Sequence, residues 1–500
     1  PIWQNKHDFS LFFGENGLTL PEKNSDIMAK IIGRKQETRL LNDYFNSKSP
    51  EFVVVYGRRR VGKTFLVRTL LSEHFSFSVT GLSPLENKKR GVSDLQRQLL
   101  NFGYALKEYG HEGGNPTSWM EAFHMLKELL SKRGKEERHV VFIDEMPWMD
   151  TPRSGFLVAF EAFWNGWASA QDNLLLVVCG SATSWMIKKI FKNKGGLFNR
   201  VTRKIFLPPF TLSECEKLVE MRNLVLSRYD ILSAYMILGG VPFYWNMLQP
   251  GMSLAQNIDA LFFASKNAPL RDEFELLMKS LFNSPEPYAK VINALNGKSG
   301  GLSRDEIATE TGIKSGGGLS IILEDLDKCN FITEYHPIKS NGTAIYRLTD
   351  FFTLFYMRFV ADKKINDPAF WSHFINSPGN NTWNGLSFEI VCHLHLEQIK
   401  RTLQIGAVLC NHQSLRTKGA QIDLLINRGD HVTNLCEAKF YSMPFTIDAQ
   451  YEKNLLNKLA EVKECVPARN AVHLTLISTY GLKPNKHSSI VQSQVTMDDL

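Results

Sequence analysis

The chain has 500 residues, 43% hydrophobic and 22% charged, which is the balance of a folded soluble protein of about three or four domains at ~100–200 residues each and excludes a disordered or fibrous polypeptide. A net charge of +7, from 58 Lys and Arg against 51 Asp and Glu, permits nucleic-acid contact without demanding it, and no run reaches the ~18 uninterrupted apolar residues of a membrane span. Seven scattered cysteines without a CxxC pair argue against a zinc site and for buried thiols in a reducing compartment; with no signal-peptide pattern at the N-terminus, the expected location is cytoplasmic.

Residues 1–27 are mixed polar and aromatic and read as an extension. From Ile31 the chain runs Ile31-Ile32-Gly33-Arg34 into a helix predicted over 37–45, and Gly33 and Arg34 are candidates for the adenine side of a nucleotide. A β-branched run, Phe52-Val-Val-Val-Tyr56, then enters Gly57-Arg58-Arg59-Arg60-Val61-Gly62-Lys63-Thr64, followed by a helix-prone segment from Phe65. This is a complete GxxxxGK[ST] loop in the strand–loop–helix setting that a phosphate cradle needs. Gly57 and Gly62 let backbone N–H groups, including those near Arg60, Val61 and Phe65, curl round the phosphates of ATP. Lys63 supplies a cation to the β- and γ-phosphates, and Thr64 offers its hydroxyl to Mg²⁺ at the positive end of a helix. The competing reading is an accidental glycine loop.

The stretches 85–97 and 110–116 read as exposed connections, with a helix over 118–131. His139-Val-Val-Phe-Ile143 is a buried parallel strand with Asp144 and Glu145 at its C-terminal end, where ligands bind in open α/β sheets. This is a Walker B pattern: Asp144 would hold Mg²⁺ through water, and Glu145 would orient and deprotonate the attacking water. A solvated acidic turn is the alternative. A third apolar strand over 173–178 leads to Cys179-Gly180-Ser181-Ala-Thr183; Ser181, with Thr183 in reserve, is positioned to contact the γ-phosphate or the attacking water. The basic segment 188–204 contains Gly196-Leu-Phe-Asn-Arg200, and Arg200 is either a transition-state finger supplied to a neighbouring subunit of a homo-oligomer or part of a solvated basic loop.

The order of P-loop, Ile-Asp-Glu, Cys-Gly-Ser, Leu-Phe-Asn-Arg200, Leu207-Pro-Pro-Phe210 and Gly239-Gly240-Val-Pro242-Phe-Tyr244 resembles the prokaryotic AAA+ and STAND-like ATPases of archaeal type, over about 28–360. The resemblance implies a parallel-sheet P-loop core over 28–210 and a helical lid over 211–280, with Pro242 as a lid contact near the nucleotide. The family has glycine before the arginine, whereas this chain has Asn199.

Helical spacing recurs at 212–222, 227–239 and 257–263, then at 288–296, 303–311 and 318–330, followed by a β-hairpin over 331–348 with Ser340-Asn-Gly342 at its tip. That pattern is a winged helix-turn-helix, assigned to 281–362. Its third helix is net acidic, so it serves packing or protein interaction, or the unit contacts DNA mainly through the wing and phosphates.

In the last segment, 363–500, two alternating strands carry Asp423 and Glu437-Ala-Lys439 on either side of a Gly/Asp turn over 427–431. A turn centred near Asp430 puts Asp423 opposite Glu437, with Lys439 on the face of Glu437. Opposed carboxylates destabilise a hairpin, so either they flank a cation or the register differs. The arrangement resembles the core of the PD-(D/E)XK nucleases, an α/β restriction-endonuclease-like fold, although Ile422 stands where the name-giving proline would be. That resemblance implies Asp423 and Glu437 as Mg²⁺ ligands, Lys439 as the catalytic cation, Glu389 as a further ligand borne on a helix, and Gln450 as a trailing polar position. An exposed charged hairpin is the alternative for the strands, and a solvated helix face for Glu389. His393 and His395 read as packing or surface residues.

The resulting expectation is an ATP-switched effector: an ATPase coupled to a metal-dependent nuclease-like domain acting on DNA. Two rivals remain: a non-cleaving regulator binding DNA or a protein, and a STAND-type signalling ATPase sensing another protein.

Overall fold

The structure, a computed structural model, describes residues 31–500 apart from 84–92, 182, 193–194, 283, 337–342, 362–366 and 417–418. The extension 1–27, the wing tip 340–342 and the side chain of Thr183 lie outside the described residues.

Five parallel strands form the first sheet: β1 (Glu51–Tyr56), β2 (Phe75–Thr80), β3 (His139–Asp144), β4 (Leu174–Gly180) and β5 (Arg203–Phe206), in the order β2-β3-β4-β1-β5. The apolar runs of β1, β3 and β4 are buried on both faces, as helix-covered parallel strands must be. Phe52 and Val54 face Phe156 and Phe160 on one side, while Val53 and Val55 face Leu66 and Val67 on the other. Because β4 lies between β1 and β3, the residues that leave the three strand ends, Gly57, Ser181 and Asp144, emerge side by side.

Helices Leu212–Met221, Arg228–Leu238, Pro242–Trp245, Leu254–Ile258 and Glu273–Leu281 follow. Capping boxes at Thr211, Ser227 and Ser253 set three of their starts. Ser253 begins the fourth helix earlier than the apolar spacing predicts, and the chain continues through a π-helical turn, Asp259–Phe263. Helices Glu286–Leu295, Arg304–Thr311 and Gly317–Lys328 then alternate with β6 (Leu302–Ser303), β7 (Ile332–Tyr335) and β8 (Ile345–Leu348), an antiparallel sheet of order β6-β8-β7. The acidic side of Gly317–Lys328 is turned onto the first sheet's helices. Lys188 Nζ donates to Asp325 at 2.8 Å, Tyr288 OH donates to the same carboxylate at 2.8 Å, and Lys192 pairs with Glu324 at 3.1 Å.

The C-terminal sheet is mixed: β9 (Cys410–Arg416), β10 (Gln421–Arg428), β11 (Val432–Lys439), β12 (Ala471–Ser478) and β13 (Ser493–Thr496), ordered β13-β12-β11-β10-β9. The parallel β11–β12 connection is made by helix Ala449–Cys465, whose Leu455 and Val462 cover Leu425 and Leu435. On the opposite face, Leu424, Ile426 and Cys436 join Phe388 and Val391 of helix Pro378–Leu394 in a core that continues into the preceding helices. All seven cysteines are free, and Cys410 and Cys465 are half-buried where buried thiols were expected. Among the described residues no helix is long and apolar enough to cross a membrane.

Candidate functional site

The loop 57–64 wraps the start of helix Lys63–Leu71 by using left-handed backbone at Arg60 (φ 70°) and Gly62 (φ 95°). Gly57 approaches β5 so closely that a Cβ would lie 2.3 Å from the Leu207 carbonyl oxygen, which restricts this position to glycine. Lys63 is buried and donates to the carbonyls of Gly57 at 3.0 Å and Arg58 at 2.8 Å. Burial lowers its pKa, opposed by the nearby charge of Glu145.

Thr64 Oγ1 donates to Asp144 Oδ2 at 2.9 Å, joining the loop to the end of β3. Burial pushes the Asp144 carboxyl up, partly countered by the Thr64 hydroxyl. Two hard oxygens converge here, which suits Mg²⁺. Glu145 follows in a left-handed conformation (φ 46°), a strained state for a non-glycine residue. Its carboxylate accepts from the Ser181 N–H at 3.1 Å and the Ser181 hydroxyl at 2.5 Å. Lys63, Thr64, Asp144, Glu145 and Ser181 thus meet at adjacent strand ends.

Gly33 (φ 61°) and Arg34 (φ 50°) turn the chain so that the buried Arg34 guanidinium reaches the carbonyls of Val61 at 3.4 Å and Pro208 at 2.5 Å, over the Phe210 ring. Arg34 therefore braces the loop. Arg60 pairs with Glu273 at 2.5 Å and lies 4.1 Å over the ring of Phe243, the neighbour of Pro242, which brings the Gly239–Tyr244 turn against the loop. Phe65 is 55% exposed beside the loop. Arg200 is exposed in a turn before β5. Since Thr202 N–H donates to Phe52 O and Val53 pairs with Arg203, Arg200 lies at the opposite end of β1 from the loop and away from its own chain's phosphate site.

In the C-terminal sheet, the β10–β11 pairing runs from Asn427↔Thr433 to Leu424↔Cys436, and one further step sets Asp423 opposite Glu437. A bulge on the β9 side between Ile422 and Leu425 re-aims Asp423, whose Oδ2 accepts from Ala438 N–H at 2.9 Å. The cation beside Glu437 is an ammonium pair: Lys439 Nζ lies 3.1 Å from Oε1 and Lys458 Nζ 2.7 Å from Oε2, and Tyr451 OH also donates to Oε1. Burial would raise the Glu437 pKa, but Lys439 and Lys458 outweigh it and hold the carboxyl low. Burial and the adjacent Glu437 push Asp423 up to about 6; burial and Asp423 push Glu389 up to about 7, against the pull of Arg347, whose Nη2 is 3.6 Å away. Among the described residues no group of three or more His, Cys, Asp or Glu side chains is placed to hold a metal ion. The oxygen set of Asp423 and Glu389 nonetheless suits a hard cation, whose charge would offset the burial and the neighbouring carboxylate that draw each towards protonation.

Gln450 is exposed and donates to Asn454 at 3.4 Å instead of facing the acids. Helix Ala449–Cys465 presents Tyr451 and Lys458, seven residues apart and so on one stripe, and Gln450 lies about 100° off it. That i, i+7 spacing was the available signal for both missed residues; Arg347 carried none. His393 donates to the Asp423 carbonyl at 2.9 Å, and buried His395 accepts from Leu212 N–H at 3.0 Å, so both are packing groups.

Residues 32–248 match a family described as an ATPase domain predominantly from Archaea. The uncharacterized protein MJECL04 of Methanocaldococcus jannaschii is 24% identical over 425 residues, 82% of this chain and 87% of its own length. Among solved structures, the Walker-type ATPase Paby2304 of Pyrococcus abyssi is 19% identical, with 66% of this chain and 96% of that one covered at a TM-score of 0.45. The ORC2 protein of Aeropyrum pernix in ADPNP–ADP complexes is 15% identical, with 73% and 96% covered at 0.36. A STAND protein with a tetratricopeptide repeat sensor from Pyrococcus horikoshii is 17% identical, with 75% and 52% covered at 0.28. Residues 32–248 are an ATP-binding P-loop ATPase domain of the archaeal type.

Proposed function

We propose that the chain is a Mg²⁺-dependent ATP hydrolase whose nucleotide state controls a C-terminal nuclease-like domain acting on DNA. The observation that carries the ATPase half is the meeting of Thr64 with Asp144 and of Glu145 with Ser181 at neighbouring strand ends. Thr64 and Asp144 would hold Mg²⁺, which when bound neutralises charge on the β- and γ-phosphates. Lys63 leaves the Gly57 and Arg58 carbonyls for the phosphates. Glu145, oriented by Ser181, accepts a proton from water as the water oxygen bonds to the γ-phosphorus and the bond to the ADP oxygen breaks. Arg200 serves the site of a second copy.

In this reading, 28–210 is the ATPase core, 211–280 the lid, 281–362 a winged helix and 363–500 a PD-(D/E)XK-like domain. Asp423 and Glu389 would hold the metal, since Glu437 is taken up by Lys439, Lys458 and Tyr451 and is not free for it as the sequence had suggested, and Lys439 would stabilise charge developing on a scissile phosphate. The buried acids drawn towards protonation, with lysines beside them, support it. A second reading, a domain that binds DNA without cutting it, is favoured by the full engagement of both Glu437 oxygens by Lys439, Lys458 and Tyr451. Incubation with plasmid and linear DNA, with and without ATP and Mg²⁺, separates the two. Metal-dependent cleavage supports the nuclease; retained DNA binding without cleavage under every condition supports the binder.

A further inference from the structure

Of the three arginines inside the P-loop, Arg58 is spent on a residue 292 positions away. Its guanidinium is buried to 1% exposure and paired with Asp350 through both nitrogens, Nη2 to Oδ2 at 3.0 Å, with the Phe331 ring 5.1 Å from its centre. Burial works against the charge, and Asp350 more than restores it. The same residue's backbone carbonyl accepts from Lys63 Nζ at 2.8 Å. One residue therefore joins Asp350, through its side chain, to the phosphate-binding lysine, through its main chain.

We propose that Asp350 is a positioning residue for ATP binding that acts through Arg58, so that the segment following β8 is a working part of the nucleotide site. The two partners differ in stiffness. Asp350 caps helix Phe351–Phe355, accepting from Thr353 N–H at 3.0 Å and from the Thr353 hydroxyl, while its own N–H donates to Phe331 O at 3.2 Å. Phe351 packs on Tyr235 and Phe352 on Tyr244, with ring centres 5.6 and 4.7 Å apart. The loop turns on left-handed residues at Arg60 and Gly62, and its other side-chain ties, Arg34 to the Val61 carbonyl and Arg60 to Glu273, lie beyond Arg58, so the Asp350 pair is the tie at the loop's first arginine. Asp350 is thus the anchor and Arg58 the tethered end. If the anchor shifts, the Arg58 carbonyl and the adjacent N–H groups move with it, and the cradle loses the geometry that a phosphate requires. Stability alone does not account for the pair, because well-packed apolar side chains fill a buried site as favourably as an ion pair.

The inference rests on the loop being the ATP site, and the test separates the two. Calorimetry with ATP and Mg²⁺ on the full chain compares wild type, Asp350→Asn, Arg58→Met, Asp350→Leu and the double variant Arg58→Met/Asp350→Leu, with melting temperature recorded for each and Lys63→Ala as control. The expected result is about ten-fold weaker binding in each single variant, with the double no weaker than the worse single, as coupling through one contact requires. If the single variants fail to fold, the double, which removes both charges together, is compared with wild type and should still bind about ten-fold more weakly. Unchanged affinity in the folded variants, with only melting temperature lowered, overturns the proposal. Additive losses overturn it too. Loss of binding in Lys63→Ala beside intact binding in the Asp350 variants refutes the positioning role alone, whereas intact binding in Lys63→Ala refutes the ATP site itself.

Discussion

Ser181 grips Glu145 through two donors, its backbone N–H at 3.1 Å and its hydroxyl at 2.5 Å, one to each carboxylate oxygen. The first residue after β4 thus orients the first residue after β3, across adjacent strands. Ser181→Ala removes the hydroxyl but keeps the N–H. It should lower kcat about ten-fold with KM for ATP nearly unchanged, because orientation of the base matters in the transition state more than in binding. Steady-state phosphate release over a range of ATP checks this; a raised KM at unchanged kcat would put Ser181 on the nucleotide instead.

Arg200 lies at the far end of β1 from its own P-loop, so any action on ATP would be on the site of a neighbouring copy. Specific ATPase activity should rise with protein concentration, and Arg200→Ala should abolish the rise. Concentration-independent specific activity, together with an active Arg200→Ala protein, leaves Arg200 as an exposed loop residue.

Asp423 and Lys439 should separate metal binding from cleavage. Asp423→Ala loses both tight Mn²⁺ binding and cutting of DNA, whereas Lys439→Ala keeps the metal and loses the cutting. Mn²⁺ titration alongside DNA digestion reads both; full metal affinity in Asp423→Ala would exclude this carboxylate as a ligand.

Glu389 supplies a pH test that needs no substrate. Its carboxyl is pushed from an ordinary 4.5 up to about 7 by burial and by Asp423, so the folded state holds a proton that the unfolded chain has released. That contribution is complete below pH 4.5 and is lost as pH rises through about 7. Glu389→Gln should therefore be more stable than wild type at pH 8 by about 2 kcal/mol, with the difference shrinking as pH falls. Denaturant melts at several pH values measure it. Parallel pH profiles would mean that Glu389 titrates normally.

The strand, loop and helix around 57–64 were legible because each is a local pattern: a β-branched run, two glycines at loop positions, an apolar helix. The hairpin register was legible for the same reason, since a turn centred near Asp430 fixes which residues pair, Leu424 with Cys436 among them. The cation beside Glu437 was not. Lys458 arrives from a helix that crosses between parallel strands, and its one sequence signal is the i, i+7 spacing from Tyr451 that puts the two on one stripe. Arg58 and Asp350 are further apart still, and an arginine in a P-loop reads as a phosphate ligand until a buried carboxylate is found against it. The net acidic character of helix Gly317–Lys328 was legible in its composition, while its partners Lys188 and Lys192 emerged only from the packing.

The central claim is that Glu145 is the base of an ATP-hydrolysing site, and the most direct measurement is ATP binding and single-turnover hydrolysis on the same preparation of Glu145→Gln. The amide keeps the shape and can still meet Ser181, but it cannot take the proton of water, so binding should match wild type while hydrolysis falls at least about a hundred-fold. A Glu145→Gln protein that turns over ATP at the wild-type rate would contradict the account.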